Sequence, residues 1–359
     1  GGGLARYRRP DNGNWEEKME YRPLGRTDIK VSAICLGTMT WGEQNSQAEA
    51  FEQMDYALDQ GVNFWDTAEA YAVPPRKETY GRTEEIIGNW FASRGKRDRV
   101  IIATKVHYPI GPGPNDYGNS RLHIFRACEA SLKRLGVDHI DLYQIHRPSF
   151  DIPVDETLGA LTDLVREGKV RYIGCSTHPA WKVMEALNAS AANHLARYVS
   201  EQPPYNLLDR RIENELIPMC QRHGLGIIPY APLAQGVLAG RYLDLSRLPP
   251  DSRAVTIGDV YADRVNARGI AIGQRLAGLA RAHDLSAGQL ALLWAKEQPG
   301  ITAPIIGPRT LDHLEAVLPA FDMRLADELA NACDLLVPPG TAVADFHNAS
   351  GWHKEVIGF

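Results

Sequence analysis

Cysteine is scarce in this chain. There are five in 359 residues (Cys35, Cys128, Cys175, Cys220 and Cys333), with no Cys-x-x-Cys and no metal-ligand spacing. That excludes a disulfide scaffold. Because most of the five sit in apolar stretches where a thiol packs as a small hydrophobe, a reduced, cytoplasmic setting is expected. A basic excess is also missing: 39 Lys and Arg stand against 44 Asp and Glu, a formal charge of -5. With no basic stripe or RNA-reading motif, a nucleic-acid or anionic-membrane partner is not expected. No apolar run approaches the ~20 residues of a membrane span, and no basic segment leads into an apolar one as in a secretory signal. G-x-G-x-x-G is absent as well, which argues against a doubly wound dinucleotide-binding sheet.

What is present is alternation. Short apolar or β-branched runs recur near 33–37, 62–66, 100–105, 139–146, 170–176, 197–202, 226–230 and 302–307, separated by amphipathic helical stretches. One helix carries Ile124, Cys128, Leu132 and Leu135 on a single face; another carries Leu158, Leu161 and Val165 behind Asp155, read as its cap. Eight strands with intervening helices predict an α/β fold, a (β/α)8 TIM barrel. A hairpin over about Glu20 to Val31, turning at Gly25-Arg26, precedes it.

The expected division is a loosely held arm over 1–18, with Gly1-Gly2-Gly3 a vector-derived remnant, then one domain over 19–359 including the tail. Three segments break the rhythm: His107–Ser120, Leu233 to about Asn266, and the tail from Val337 to Phe359. The first two start at the C-terminal barrel face and are expected to wall a substrate site. The tail, with Phe346, His347, Trp352 and His353, is expected either to fold over the mouth or to pack on the barrel's side.

Four polar residues end successive strands or follow them closely: Asp66 and Tyr71, Lys105, and His146. Singly, each has a plain structural reading: a cap, a packed aromatic, a solvated charge, a core histidine. Together they describe acid–base chemistry. A phenol near pKa 10 is a weak proton donor that a neighbouring lysine would make stronger. The lysine needs a carboxylate to stay charged out of water, and Asp66 can supply it. A histidine opposite can orient a carbonyl oxygen or assist proton transfer. Such a set would polarise and protonate a carbonyl as hydride reaches carbon.

The segments LGTMTWGEQ (36–44), NFWDTAEAYAVPP (63–75), ATKV (103–106), SLKRLGVDHIDLYQIHRP (131–148), GKVRYIGCS (168–176) and EQPPYNLLDR (201–210) resemble the aldo-keto reductases, in particular their bacterial branch. The resemblance runs from Glu20 to about Leu318. It implies Tyr71 as general acid, Lys105 tuning its pKa, Asp66 paired with the lysine, and His146 orienting the carbonyl of a small-molecule substrate. It further implies a nicotinamide dinucleotide, with Ser176 and Gln202 on its carboxamide and Tyr230 stacked on its ring. Leu233 and Gly236 would lie along the pyrophosphate. Arg309 would lie at the adenosine 2′-phosphate and favour NADPH/NADP+ over NADH. Three departures from the pattern weaken the cofactor part: Thr177 for asparagine, Ala231 for serine, and His313 and Val317 for the adenine contacts.

Trp41, Tyr108 and Tyr117, joined by Phe346 and His347, are expected to line the substrate pocket. The same four catalytic residues could run alcohol or sugar oxidation, or hold cofactor in a slow-turnover redox sensor. A metal-dependent hydrolase would need several strand-end histidines, and only His146 is expected at one. The substrate is left open, and so is a homo-oligomer.

Overall fold

The computed structural model describes residues 19–350; the expected arm over 1–18 and the tail residues Trp352 and His353 lie outside the described residues. A two-stranded antiparallel hairpin, β1 (Tyr21–Pro23) and β2 (Lys30–Ser32), opens the chain. The barrel follows as β3 (Cys35–Gly37), α1 (Gln47–Asp59), β4 (Phe64–Asp66), α2 (Arg82–Arg94), β5 (Ile101–Val106), α3 (Arg121–Leu135), β6 (Ile140–Ile145), α4 (Val154–Arg166), β7 (Val170–Ser176), α5 (Ala180–Ala192), β8 (Tyr198–Gln202), α6 (Leu216–His223) and β9 (Gly226–Ile227). An insertion then carries two short helices, α7 (Arg253–Thr256) and α8 (Asp259–Asp263). After it come α9 (Ala267–Arg281), α10 (Ala287–Glu297), β10 (Ile305–Ile306), α11 (Leu311–Val317) and α12 (Asp327–Leu336).

Eight parallel strands pair in the order β10-β3-β4-β5-β6-β7-β8-β9. The two ends of that order are joined by the backbone: Thr302 N–H donates to Ile227 O at 2.8 Å and Ile305 N–H to Pro229 O at 2.8 Å. This is the (β/α)8 barrel. Its last strands are shorter than the sequence runs at 226–230 and 302–307. Pro229 and Pro304 lack the N–H a continuous ladder needs, so pairing continues there only as isolated bridges and single bonds.

Strand alternation sorts the side chains into layers. Phe64, Ala103 and Leu142 point inward and join Cys35, Val199, Ile228 and Ala303 in a small core inside the barrel. Leu24 and Val31 of the hairpin belong to the same core, so the hairpin plugs the barrel's N-terminal end. Gly25 seats this plug. Its φ is +57°, and a Cβ there would stand 2.4 Å from Val199 O. Trp65, Ile102, Tyr143 and Ile173 point outward into the larger core under the helices. Two residues beyond the inward apolar layer, the same inward face presents Asp66, Lys105 and Gln144. Apolar packing below therefore fixes a polar layer above it.

Helix ends follow local chemistry. Ser46 and Ser286 form capping boxes with Glu49 and Gln289. Asp155 is not a cap: α4 starts one residue earlier, behind Pro153, and Asp155 sits in its first turn, where a carboxylate favours the helix dipole. On α3, Ile124, Cys128 and Leu135 are buried and Leu132 packs partly buried against them.

The described part of the tail folds back on the C-terminal face. Asp209, fully buried after β8, accepts hydrogen bonds from Arg211 Nη2 (2.7 Å) and Phe346 N–H (2.8 Å), with His347 Nδ1 at 3.1 Å. Asn266 Nδ2 donates to Val343 O, Arg264 Nε to Asn348 Oδ1, and Asn348 Nδ2 to Val260 O, so tail and insertion hold each other. Burial alone would raise the Asp209 carboxyl, but its partners hold it down to about 2. A depressed carboxylate stabilises the fold fully above its unfolded pKa near 4 and loses that contribution as pH falls towards 2. Asp209→Asn is therefore expected to cost about 2 kcal/mol in denaturant unfolding at neutral pH, and clearly less near pH 3. A pH-independent difference would show that the carboxylate charge does not hold the tail.

Candidate active site

The polar layer is organised around one buried ion pair. Lys105, with no exposed surface, donates from Nζ to Asp66 Oδ2 at 2.5 Å and to Thr67 O at 2.8 Å. The other Asp66 oxygen, Oδ1, accepts from Gln202 Nε2 at 2.8 Å and Gln144 Nε2 at 3.3 Å. Strand register makes this meeting possible: Asp66 lies opposite Ala103, Lys105 opposite Gln144, and Ser176 opposite Gln202. Gly174 leaves room for it, since a Cβ there would stand 2.4 Å from Ser200 Oγ.

Tyr71 comes from the loop after β4, which is pinned by Thr67 N–H to Ala103 O, Glu69 N–H to Lys105 O and Thr83 N–H to Tyr71 O. Its hydroxyl lies 3.4 Å from Lys105 Nζ. His146, just past β6, stands edge-on to the Tyr71 ring at 6.0 Å and to the Tyr108 ring at 4.8 Å between centroids. All four strand-end residues therefore meet at the C-terminal face. Burial lowers His146 well below the usual imidazole value, with Lys105 and Arg147 adding to the effect, so the ring is neutral. Its Nδ1 has no hydrogen-bond partner among the described residues.

The phenol differs from the sequence expectation. Burial, reinforced by the Asp66 carboxylate, raises Tyr71 well above 10. Asp66 sits directly on the ammonium, and its negative charge offsets the lysine's pull on the phenolate.

Ser176 Oγ donates to Gln202 O at 2.8 Å, and Tyr230 stands where Arg147 bonds its hydroxyl. Thr177 holds φ +57°, a left-handed conformation that asparagine adopts readily and a β-branched residue only at a cost. Leu233 and Gly236 belong to a tight turn in which Ala231, Ala234, Gln235 and Gly236 all have positive φ. Arg309 is engaged by Asp251 of the insertion, with Nη1 donating to Asp251 O at 2.7 Å and Nη2 on the carboxylate. His313 is exposed on α11, and Val317 ends that helix half-buried.

A cavity of roughly 630 Å3 opens beside this cluster, lined by Tyr108, Tyr117, His107 and Arg147 among others. Two expected pocket residues do not line it. Trp41 is wholly buried, its Nε1 donating to Gln53 Oε1 and its carbonyl accepting from Thr83. Phe346 is buried under the Arg264 guanidinium. Both aromatics are spent on packing, and His347 is turned towards Asp209.

Several residues at the site gave no sequence signal. Gln144 completes the Asp66 network; its place two residues before His146 on an alternating strand was the available clue. Arg253 lies in the insertion near Tyr71 and Arg309, and burial with Arg309 alongside lowers its pKa. His107 and His178 also lie just past strand ends, so His146 is not alone there. His178 lies with Cys175 and Glu201 in a buried set whose ligand-type atoms are within 4.8 Å of one another. His178 Nδ1 faces Ser176 O at 2.8 Å, and Glu201 Oε1 accepts the His178 N–H, so the set braces the backbone that carries Ser176 and Gln202. Among the described residues no helix is long and apolar enough to cross a membrane.

Comparison with known proteins agrees with this geometry. The model of the Aldo/keto reductase family matches residues 33–337. The uncharacterized oxidoreductase YrpG of Bacillus subtilis (strain 168) is 39% identical, covering 90% of this chain and 97% of its own. A probable voltage-gated potassium channel subunit beta of Arabidopsis thaliana is 34% identical over 85% of this chain and 92% of its own. The versiconal hemiacetal acetate reductase of Aspergillus parasiticus is 33% identical over 86% and 94%. With a barrel of eight parallel strands, a lysine–aspartate pair at their C-terminal ends and these relatives along most of its length, the chain belongs to the aldo/keto reductase family.

Proposed function

We propose that the protein reduces an aldehyde or ketone to an alcohol with a nicotinamide dinucleotide, NADPH in preference to NADH. The observation that carries this reading is the Tyr71 hydroxyl held 3.4 Å from a lysine whose charge Asp66 fixes, with neutral His146 on the other side. Tyr71, protonated at neutral pH, gives its proton to the carbonyl oxygen. His146 orients that oxygen through a ring nitrogen. Lys105 stabilises the phenolate left behind, and Asp66, Gln144 and Gln202 keep the ammonium in place. The bound dinucleotide supplies the hydride.

The residues present fit such a cofactor. Asn45 Oδ1, Gln235 Oε1 and Ser252 Oγ are buried without a partner among the described residues. The left-handed backbone over 231–236 turns successive amides in the manner of an anion nest. Arg253 and Arg309 bring positive charge to the same groove. Ser176 and Gln202 would hold the carboxamide, Tyr230 the ring, Leu233 and Gly236 the pyrophosphate, and Arg309 the 2′-phosphate. Asp251 already holds Arg309, so a phosphate must share or displace that carboxylate, which limits the preference for NADPH.

The similarity to a potassium-channel β subunit favours a second reading, tight cofactor binding with slow turnover. Alcohol oxidation by the same residues is the reverse of the first.

Tyr71→Phe is expected to lower turnover by about 10²- to 10⁴-fold, the range typical of a lost general acid, while NADPH still binds. Steady-state oxidation of NADPH over a panel of aldehydes, ketones and keto-sugars, alongside a fluorescence titration, tests this. Parallel loss of binding and turnover would refute the acid role. Because the phenol titrates above its usual value and His146 is already neutral, carbonyl reduction should be flat from about pH 6 to 9. It should fall only above about pH 10, where the phenol ionises. A step near 6.5 in the kcat profile would contradict a neutral His146. Arg309→Ala is expected to weaken NADPH by about tenfold and leave NADH nearly unchanged. Equal weakening of both would mean that Arg309 does not read the 2′-phosphate.

A further inference from the structure

Arg147 follows His146 at the end of β6, and its guanidinium stands among neutral groups. Nε donates to Tyr108 Oη at 3.0 Å, Nη1 to Thr177 Oγ1, and the Tyr230 hydroxyl bonds it as well. Its carbonyl accepts from Asn119 Nδ2 at 2.9 Å, which fixes the main chain. No carboxylate of the described residues pairs with it. Of the other arginines held within the fold, Arg97 pairs with Asp141, Arg134 with Glu84, and Arg210 with Glu213 and Asp334, whereas Arg264 is met by the Asn348 amide and the Phe346 carbonyl. Arg147 is half-buried, and a guanidinium partly withdrawn from water without a counter-charge carries a cost while staying charged at any ordinary pH. Arg147 thus leaves a demand for an anion at one point of the wall.

That point lies on the wall of a cavity. Arg147 and Tyr108 line the roughly 630 Å3 cavity together with His107, Asn115, Tyr117 and Ser149. Among the described residues Asp151 is the one carboxylate on that lining; it is exposed and makes no ion pair with them. The Tyr108 ring also packs edge-on to His146. A molecule in the cavity therefore reaches Arg147 next to the group that would hold its carbonyl.

Building on the reductase reading of Tyr71, we propose that the natural substrates are carbonyl compounds bearing a carboxylate, which Arg147 binds while the carbonyl meets His146 and Tyr71. The planar fork suits a carboxylate. Once the carboxylate accepts from the guanidinium, the Tyr108 hydroxyl is able to turn and donate to it. Arg147 is then the specificity-determining residue.

The test compares ω-oxo acids of two to six carbons with their methyl esters, using NADPH and the full chain. The protein as it stands is expected to prefer at least one acid over its ester in kcat/KM. Arg147→Gln should reduce that acid-to-ester ratio by about ten- to a hundredfold, the usual worth of a charge-assisted hydrogen bond. Arg147→Lys should restore much of it. Because the readout is a ratio, a general loss of activity does not imitate the effect. Esters preferred throughout, or the same ratio in the parent and Arg147→Gln, would overturn the proposal. Calorimetric binding of 4-hydroxybutanoate to the NADP+-loaded protein separates this inference from the one beneath it. Binding that depends on Arg147, with no turnover of acid or ester, would sink the reductase reading and uphold the carboxylate site; no binding to the parent would overturn the site itself.

Discussion

The buried Lys105–Asp66 pair is the constraint on which the arrangement of the C-terminal face depends. Removing either partner would leave an uncompensated charge among apolar strands, a cost of about 3–5 kcal/mol. The barrel meets the demand by giving each Asp66 oxygen its own donors: Lys105 on one, Gln202 and Gln144 on the other. Four strands are thereby tied together at one layer. The Tyr71 loop, the Ser176 backbone and the His146 ring are positioned around that layer.

The pair also shapes the electrostatics. Its two charges largely cancel at a distance, which is why burial and not lysine dominates the Tyr71 phenol. The remaining positive charge around the mouth comes from arginines: Arg147 on the cavity wall, Arg253 and Arg309 along the insertion. Two cationic regions, the second with Arg309 already paired to Asp251, flank the buried Lys105–Asp66 pair. Positive charge placed in this way favours the approach of anions.

Much of this was legible in the amino-acid sequence because its causes are local. Short apolar strands alternating with helical stretches announce a barrel, and the structure sets Asp66, Lys105 and Gln144 on the inward face two residues beyond Phe64, Ala103 and Leu142. The meeting of Asp66, Tyr71, Lys105 and His146 follows from strand ends alone. What was not legible depends on contacts far apart in the chain. Trp41 read as a pocket aromatic because nothing local reveals that Gln53 receives its indole N–H. Phe346 likewise needs Arg264, some eighty positions earlier, to explain its burial. The direction of the Tyr71 shift requires the distance between Lys105 and Asp66, which no motif encodes. Arg253 was hidden in an irregular insertion without periodicity.

The plug at the opposite end of the barrel separates two kinds of change in the chain. Leu24, Val31 and the tightly seated Gly25 fill the N-terminal opening, and no residue of the plug takes part in the loops that wall the cavity. Stability at the bottom and selectivity at the top thus draw on different positions. Substitutions at the exposed positions of 107–120 can accumulate without loosening the core. A family built on this plan diversifies its substrates by rewriting loops while the closed end stays as it was.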